Sequence, residues 1–124
     1  MQMLDHRPDK AYRKIELDAR VEASSGADLT IICLEEVIAA LGQALIALER
    51  NPHQIPTEPL TRAHGIAVWL ARSVAPENPM REAITQFYGG LATRIGRNMR
   101  GPLADDLAAA RGDYDDLLKA AIGR

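Results

Sequence analysis

Apolar positions along this chain recur at helical spacing in four long segments, and no run alternates with the period of a strand. Between Leu29 and Leu48 only Glu35 and Glu36 carry charge, and apolar residues cover nearly the whole helical circumference. The pattern predicts a helix from about Ala27 to Glu49, capped by Ser24 or Ser25 and stopped by Asn51-Pro52. A second helix begins at Thr57-Glu58-Pro59, with Thr57 as N-cap and proline in the first turn. Its stripe is Leu60, Ala63, Ala67, Leu70, Ala71 and Val74. Residues 75–79 form a rigid connector in which Asn78 is placed to cap a third helix. Met80, Ile84, Phe87, Leu91 and Ile95 give that helix its apolar stripe, as far as about Met99. Arg100-Gly101-Pro102 breaks the chain again. The last segment puts Leu103, Leu107, Ala110, Tyr114, Leu117 and Ala121 on one face, weakened at Gly112-Asp113 because an interior glycine costs about 1 kcal/mol relative to alanine.

Connectors this short fold consecutive helices back on one another. The expected architecture is therefore all-α: an antiparallel up-down four-helix bundle over residues 24–124, preceded by an N-terminal arm or short helix over residues 1–23. Within the arm, Tyr12, Ile15 and Leu17 form a brief amphipathic pattern. A helix that is apolar all round is either enclosed or keeps one side for a partner. Four helices leave none of them fully enclosed, so part of the Leu29–Leu48 surface is surplus to the core.

Composition sharpens this picture. With 124 residues, 47% hydrophobic and only 4% aromatic, the chain has enough for one domain with an aliphatic core of Ala, Leu and Ile. A net charge of −2 provides no basic excess for nucleic acid, and Arg94, Arg97 and Arg100 read as a solvated helix end. The single Cys33 has no intrachain disulfide partner and reads as a small hydrophobe. Glu35 and Glu36 near the middle of the apolar run would each cost about 2.5–3.5 kcal/mol at a bilayer centre, which argues against membrane insertion. No apolar secretory region is visible near Met1, so a cytoplasmic, reduced protein is expected.

Catalytic constellations are scarce, and no enzyme, metal or cofactor is expected. His6, His53 and His64 have no partner at metal-ligand spacing, and Glu35-Glu36 point about 100° apart on a helix. Asp105-Asp106 and Asp115-Asp116 read as exposed polar faces. His64 within a bundle helix resembles the phosphoacceptor of histidine-containing phosphotransfer domains. Those domains follow the His with Lys at the third position and Gly at the fourth, where this chain has Ala67 and Val68.

A wider resemblance runs from Ala11 to about Ala121. Ala11-Tyr12 is followed by the turn Ala23-Ser24-Ser25, and then by Leu29-x-x-Ile32-Cys33-Leu34-Glu35-Glu36-x-Ile38-x-x-Leu41-x-x-Ala44. Further on come Arg62-Ala63-His64-Gly65-Ile66-x-x-x-Leu70 and Ile84-x-x-Phe87-Tyr88, with Arg94-Ile95 after it. In order and spacing these resemble the FliS-type flagellin export chaperones. Leu34 and Glu36 replace the tyrosine and glycine of that family's L-Y-E-G signature, Ser25 replaces a usual proline, and the common C-terminal tryptophan is absent.

The resemblance implies a cytoplasmic chaperone that binds the C-terminal segment of flagellin, prevents premature polymerisation and delivers it to the flagellar export apparatus. It also implies that the arm, through Tyr12, can occupy part of the same apolar surface. On this reading the flagellin-binding residues are Tyr12, Leu29, Ile32, Cys33, Ile38, Ile66, Trp69, Phe87 and Tyr88, with Leu41 and Leu45 assigned to the core. Trp69, the only tryptophan, is a natural anchor. Gly89-Gly90 beside Phe87 and Tyr88 implies close packing by a helix or by the client. Which of Ile31, Ile32, Cys33 and Leu34 face the core is left open by the pattern. A phosphotransfer domain built on His64, and a helical adaptor for another export client, are the alternative functions.

Overall fold

The computed structural model describes residues 26–123. Four helices fill this span: α1 (Gly26–Arg50), α2 (Thr57–Arg72), α3 (Arg81–Arg97) and α4 (Ala104–Ile122). They form an antiparallel up-down bundle in which α1 packs on α2 and α4, and α2 packs on α3. The ring is completed by α3 and α4, which approach each other only sparsely. The expected arm over 1–23, with Tyr12, and the caps assigned to Ser24 and Ser25 lie outside the described residues.

The core is aliphatic, as composition requires. Leu34, Val37, Leu41 and Ala44 of α1 meet Leu60, Ala63, Ala67 and Leu70 of α2, while Leu91 and Ile95 of α3 and Leu107 and Ala110 of α4 complete it. Alanines on these faces let backbones approach closely, and the leucines fill the space between them. From Asp28 to Arg50, α1 is long and apolar enough to cross a membrane, as core helices of soluble proteins also are. It is not enclosed on all sides, since Ile46 is 52% exposed.

Five details depart from the pattern in the sequence. The α3 stripe is rotated: Tyr88, Leu91, Ala92 and Ile95 are buried, whereas Met80 and Phe87 are 58% and 46% exposed. Two apolar seams one residue apart both fit a helical repeat here, and packing against α2 selects the second. Leu103 is 65% exposed because it precedes α4 in extended conformation. Thr57 does not cap α2: Pro56 takes that position, and the Thr57 hydroxyl donates to the Ile55 carbonyl at 3.4 Å. Similarly, Asn78 Oδ1 accepts from the Met80 N–H at 2.8 Å, turning the chain two residues ahead of α3 instead of capping it. α3 closes at Arg97, two residues before Met99.

Polar side chains join the helices at defined points. Arg62 of α2 donates to Gln43 of α1 at 2.6 Å and to Glu58 in its own helix at 3.0 Å. Arg111 of α4 donates to the Ile38 carbonyl of α1 at 3.4 Å, lying over Gly42, where a Cβ would stand 3.4 Å from its Nε. At the α3–α4 connection Asn98 is buried. Its amide donates to the Arg94 carbonyl and to Asp106, each at 2.8 Å, and its oxygen accepts the Leu103 N–H at 2.7 Å. Arg94 adds ion pairs to Asp106 and Asp113, both at 3.8 Å. Asp106 is thus half-buried and engaged, unlike the exposed face expected of it.

By contrast the Tyr114 hydroxyl is buried and finds no hydrogen-bond partner among the described residues. Removing a satisfied buried amide strands its partners, whereas removing an unsatisfied hydroxyl strands nothing. Asn98→Ala is therefore expected to lower unfolding stability by about 3 kcal/mol in urea titrations, and Tyr114→Phe by less than about 0.5 kcal/mol. Equal losses for the two variants would contradict this assignment.

Candidate functional site

At the end of the bundle where α1 and α3 begin and α2 and α4 finish, the four helices surround an apolar cleft of about 650 Å³. This size falls within the range of ordinary binding pockets. Ile31 and Leu34 of α1 form one wall, and Trp69, Leu70 and Val74 close the α2 side. Ile84 and Tyr88 of α3 face Leu117, Ala120 and Ala121 of α4. A neighbouring hollow of about 590 Å³ over the α2–α3 connection shares Asn78 and Ile84 with the cleft and reaches Met80. Together they make a track across the bundle end, from Leu117 past Ile84 to Met80.

The cleft accompanies the sparsest of the four helix seams, that between α3 and α4. Near their connection Asn98, Arg94 and Asp106 hold them together, but towards the other end their facing side chains leave a gap. Much of its polar fringe is committed to local structure. The Ser73 hydroxyl donates to the Trp69 carbonyl at 2.6 Å, and Asn78 Oδ1 accepts from Met80. Trp69, 38% exposed, presents a large apolar face at the rim, where a partner would gain most by covering it.

The expected contact residues divide into groups. Trp69 and Tyr88 line the cleft together. Ile38 lies instead in a shallow pocket of about 240 Å³ between α1 and α4, with Leu45, Ala108 and Gly112. Cys33 and Ile66 are partly buried against the core, and Leu29 is half-buried in the first turns of α1. Phe87 is exposed but does not line the cleft. Tyr12 lies outside the described residues. Ile32 is only 5% exposed, yet at about 100° per residue it stands on the side of α1 roughly opposite Leu34 and outside the core cluster, while Ile31 lines the cleft beside Leu34. Leu41 is buried and Leu45 partly so, in keeping with a core role.

Ile31, Leu34, Val74, Ile84, Leu117 and Ala121 belong to the cleft without having been assigned to a site from sequence. Each carries an ordinary core signature, and the space beside them depends on how all four helices meet at this end. Nor is Gly89-Gly90 explained by close packing, since a Cβ at either position would meet nothing within 4 Å among the described residues. His64, in contrast, leans on α3, with its Nε2 3.3 Å from where a Gly96 Cβ would stand. Among the described residues no group of three or more His, Cys, Asp or Glu is placed to hold a metal ion.

Electrostatics around the site follow from burial. The Cys33 thiol is pushed up by burial and then by the Glu36 carboxylate, which disfavours a reactive thiolate. Burial, with Cys33, raises the Tyr88 phenol, and burial, with Tyr88, raises that of Tyr114 well above its ordinary value. All three groups keep their protons longer when folded than when unfolded. Their contribution is complete below the unfolded values and is lost as pH rises past about 9–10. The melting temperature is expected to fall between pH 9 and pH 11, less steeply in Tyr114→Phe than in the parent chain; a pH-independent melting temperature over that interval would contradict it.

Comparison with known proteins gives no matching family model, no matching curated protein and no matching solved structure.

Proposed function

We propose that this protein is a cytoplasmic export chaperone that holds the C-terminal segment of flagellin, keeping it from polymerising until it reaches the flagellar export apparatus. The observation that carries the reading is the apolar track at the bundle end, a cleft of about 650 Å³ rimmed by an exposed tryptophan. Soluble monomers rarely expose contiguous apolar surface without a partner for it. Its elongated shape suits an amphipathic segment that inserts anchors at i, i+3, i+4 and i+7. The ordered resemblance in sequence supplies the identity of the client.

Such a client is unstructured when free and becomes ordered on the chaperone. Ordering costs about 2–5 kcal/mol of the gross interaction energy, so the client needs a broad apolar contact rather than a few polar ones. The weakly polar floor serves this need. Burial of Leu34, Val37, Ala40, Leu41 and Ala44 within the bundle supports reading α1 as a core helix of a cytoplasmic protein, with its apolar residues shared between core and cleft. Packing of His64 against Gly96 weighs against the phosphotransfer alternative.

Calorimetry with a peptide of the flagellin C-terminus is expected to give binding near one to one. Trp69→Ala is expected to weaken it about thirtyfold, roughly 2 kcal/mol, as for a central anchor, with the helical signal unchanged. No heat from the parent chain, together with no delay of flagellin polymerisation, would overturn the proposal. Binding that is lost to another export client alone would point to the adaptor alternative.

A further inference from the structure

Glycines at one level of α3 and α4 separate a fastened end of their seam from an open one. Gly89 stands eight residues before the end of α3 at Arg97, and Gly112 stands eight residues after the start of α4 at Ala104. In an antiparallel pair joined by a short loop these positions lie at about the same level, with Gly90 adjoining and Gly112 on the side of α4 that borders α1. On the loop side of this level lie the Asn98 hydrogen bonds and the ion pair of Arg94 with Asp106, and a second pair of Arg94 reaches Asp113, one residue past Gly112. Beyond Asp113, among the described residues, no hydrogen bond or ion pair joins α3 to α4, and the cleft lies among Ile84, Tyr88 and Leu117.

No neighbour among the described residues requires these glycines. A Cβ at Gly89, Gly90 or Gly112 would meet nothing within 4 Å, whereas Gly42 and Gly96 admit Arg111 and His64. Interior glycine loosens a helix, and kinks concentrate at such sites. At the same level the Thr93 hydroxyl donates to the Gly89 carbonyl at 3.0 Å, a back-bond of the kind that bends helices.

We infer that Gly89-Gly90 and Gly112 form a hinge about which residues 81–88 and 115–122 part, widening the cleft while the Asn98 end stays closed. The hinge lets the cleft accept side chains larger than its resting width and close again over the apolar floor. As control of client entry it rests on the function proposed above; as a motion of the free protein it does not.

Amide hydrogen exchange on the free, full chain tests it. Residues 81–88 and 115–122 are expected to exchange at least roughly tenfold faster than residues 91–97 and 104–111, and faster than residues 66–72 at the same end of the bundle. Combining Gly89→Ala, Gly90→Ala and Gly112→Ala is expected to slow the two outer segments roughly tenfold and leave the loop-side segments nearly unchanged. Gly65→Ala, an equally open glycine in α2, is expected not to slow them. Outer segments protected as well as residues 66–72, or slowed as much by Gly65→Ala as by the triple change, would overturn the hinge. Should the triple variant fail to fold, the comparison within the parent chain decides. Failure of a flagellin peptide to bind, with the exchange pattern intact, would remove the client and leave the hinge.

Discussion

Asn98 holds together two helices that otherwise have little reason to meet. Its side chain is buried where α3 gives way to α4, and it satisfies a carbonyl, a carboxylate and an N–H that the turn would otherwise strand. A buried amide of this kind is valuable because every one of its partners is costly to leave unpaired. The constraint is local, however. It fixes α3 to α4 at one end only, and the apolar faces beyond that end are anchored to α2 and α1 rather than to each other. A bundle packed along three seams and fastened over the loop-side half of the fourth follows from this and from the ion pairs of Arg94.

The functional proposal grows from the same asymmetry. Four aliphatic helices of this length could bury nearly all of their apolar surface by closing the last seam. Here Ile84 and Leu117 face each other across a gap instead, with Trp69 at its rim and Met80 exposed beside it. Apolar surface left at such a place is suited to an apolar chain segment from another protein, bound by area rather than by polar precision. The Tyr88 phenol that lines it is held protonated by burial and adds no charge to that surface at neutral pH.

Much of the architecture was legible in the sequence because helical periodicity and proline-rich connectors carry strong local signals. Leu60, Ala63, Ala67 and Leu70 fall in the core where their spacing put them, and Asn51-Pro52 ends the first long helix. Phase within α3 was less legible, because Phe87 and Tyr88 are adjacent and each continues an apolar repeat; only contact with α2 and α4 decides between them. The cleft was the least legible of all. Trp69 is conspicuous as a lone tryptophan, but Ile31, Ile84 and Leu117 are aliphatic residues like any other, and their importance depends on which pair of helices stays apart. When apolar residues encircle a helix, their pattern does not reveal which of them are covered: Ile32, on the side of α1 away from Leu34, is buried all the same.

The central claim is that the end cleft is where a flagellin segment binds. Amide chemical-shift mapping during titration with a flagellin C-terminal peptide tests it directly. The account predicts the largest changes at residues 30–34, 69–75, 80–88 and 117–121, with little change around Asn98 at the opposite end. Changes centred on the loop between α3 and α4, or none at saturating peptide, would contradict it.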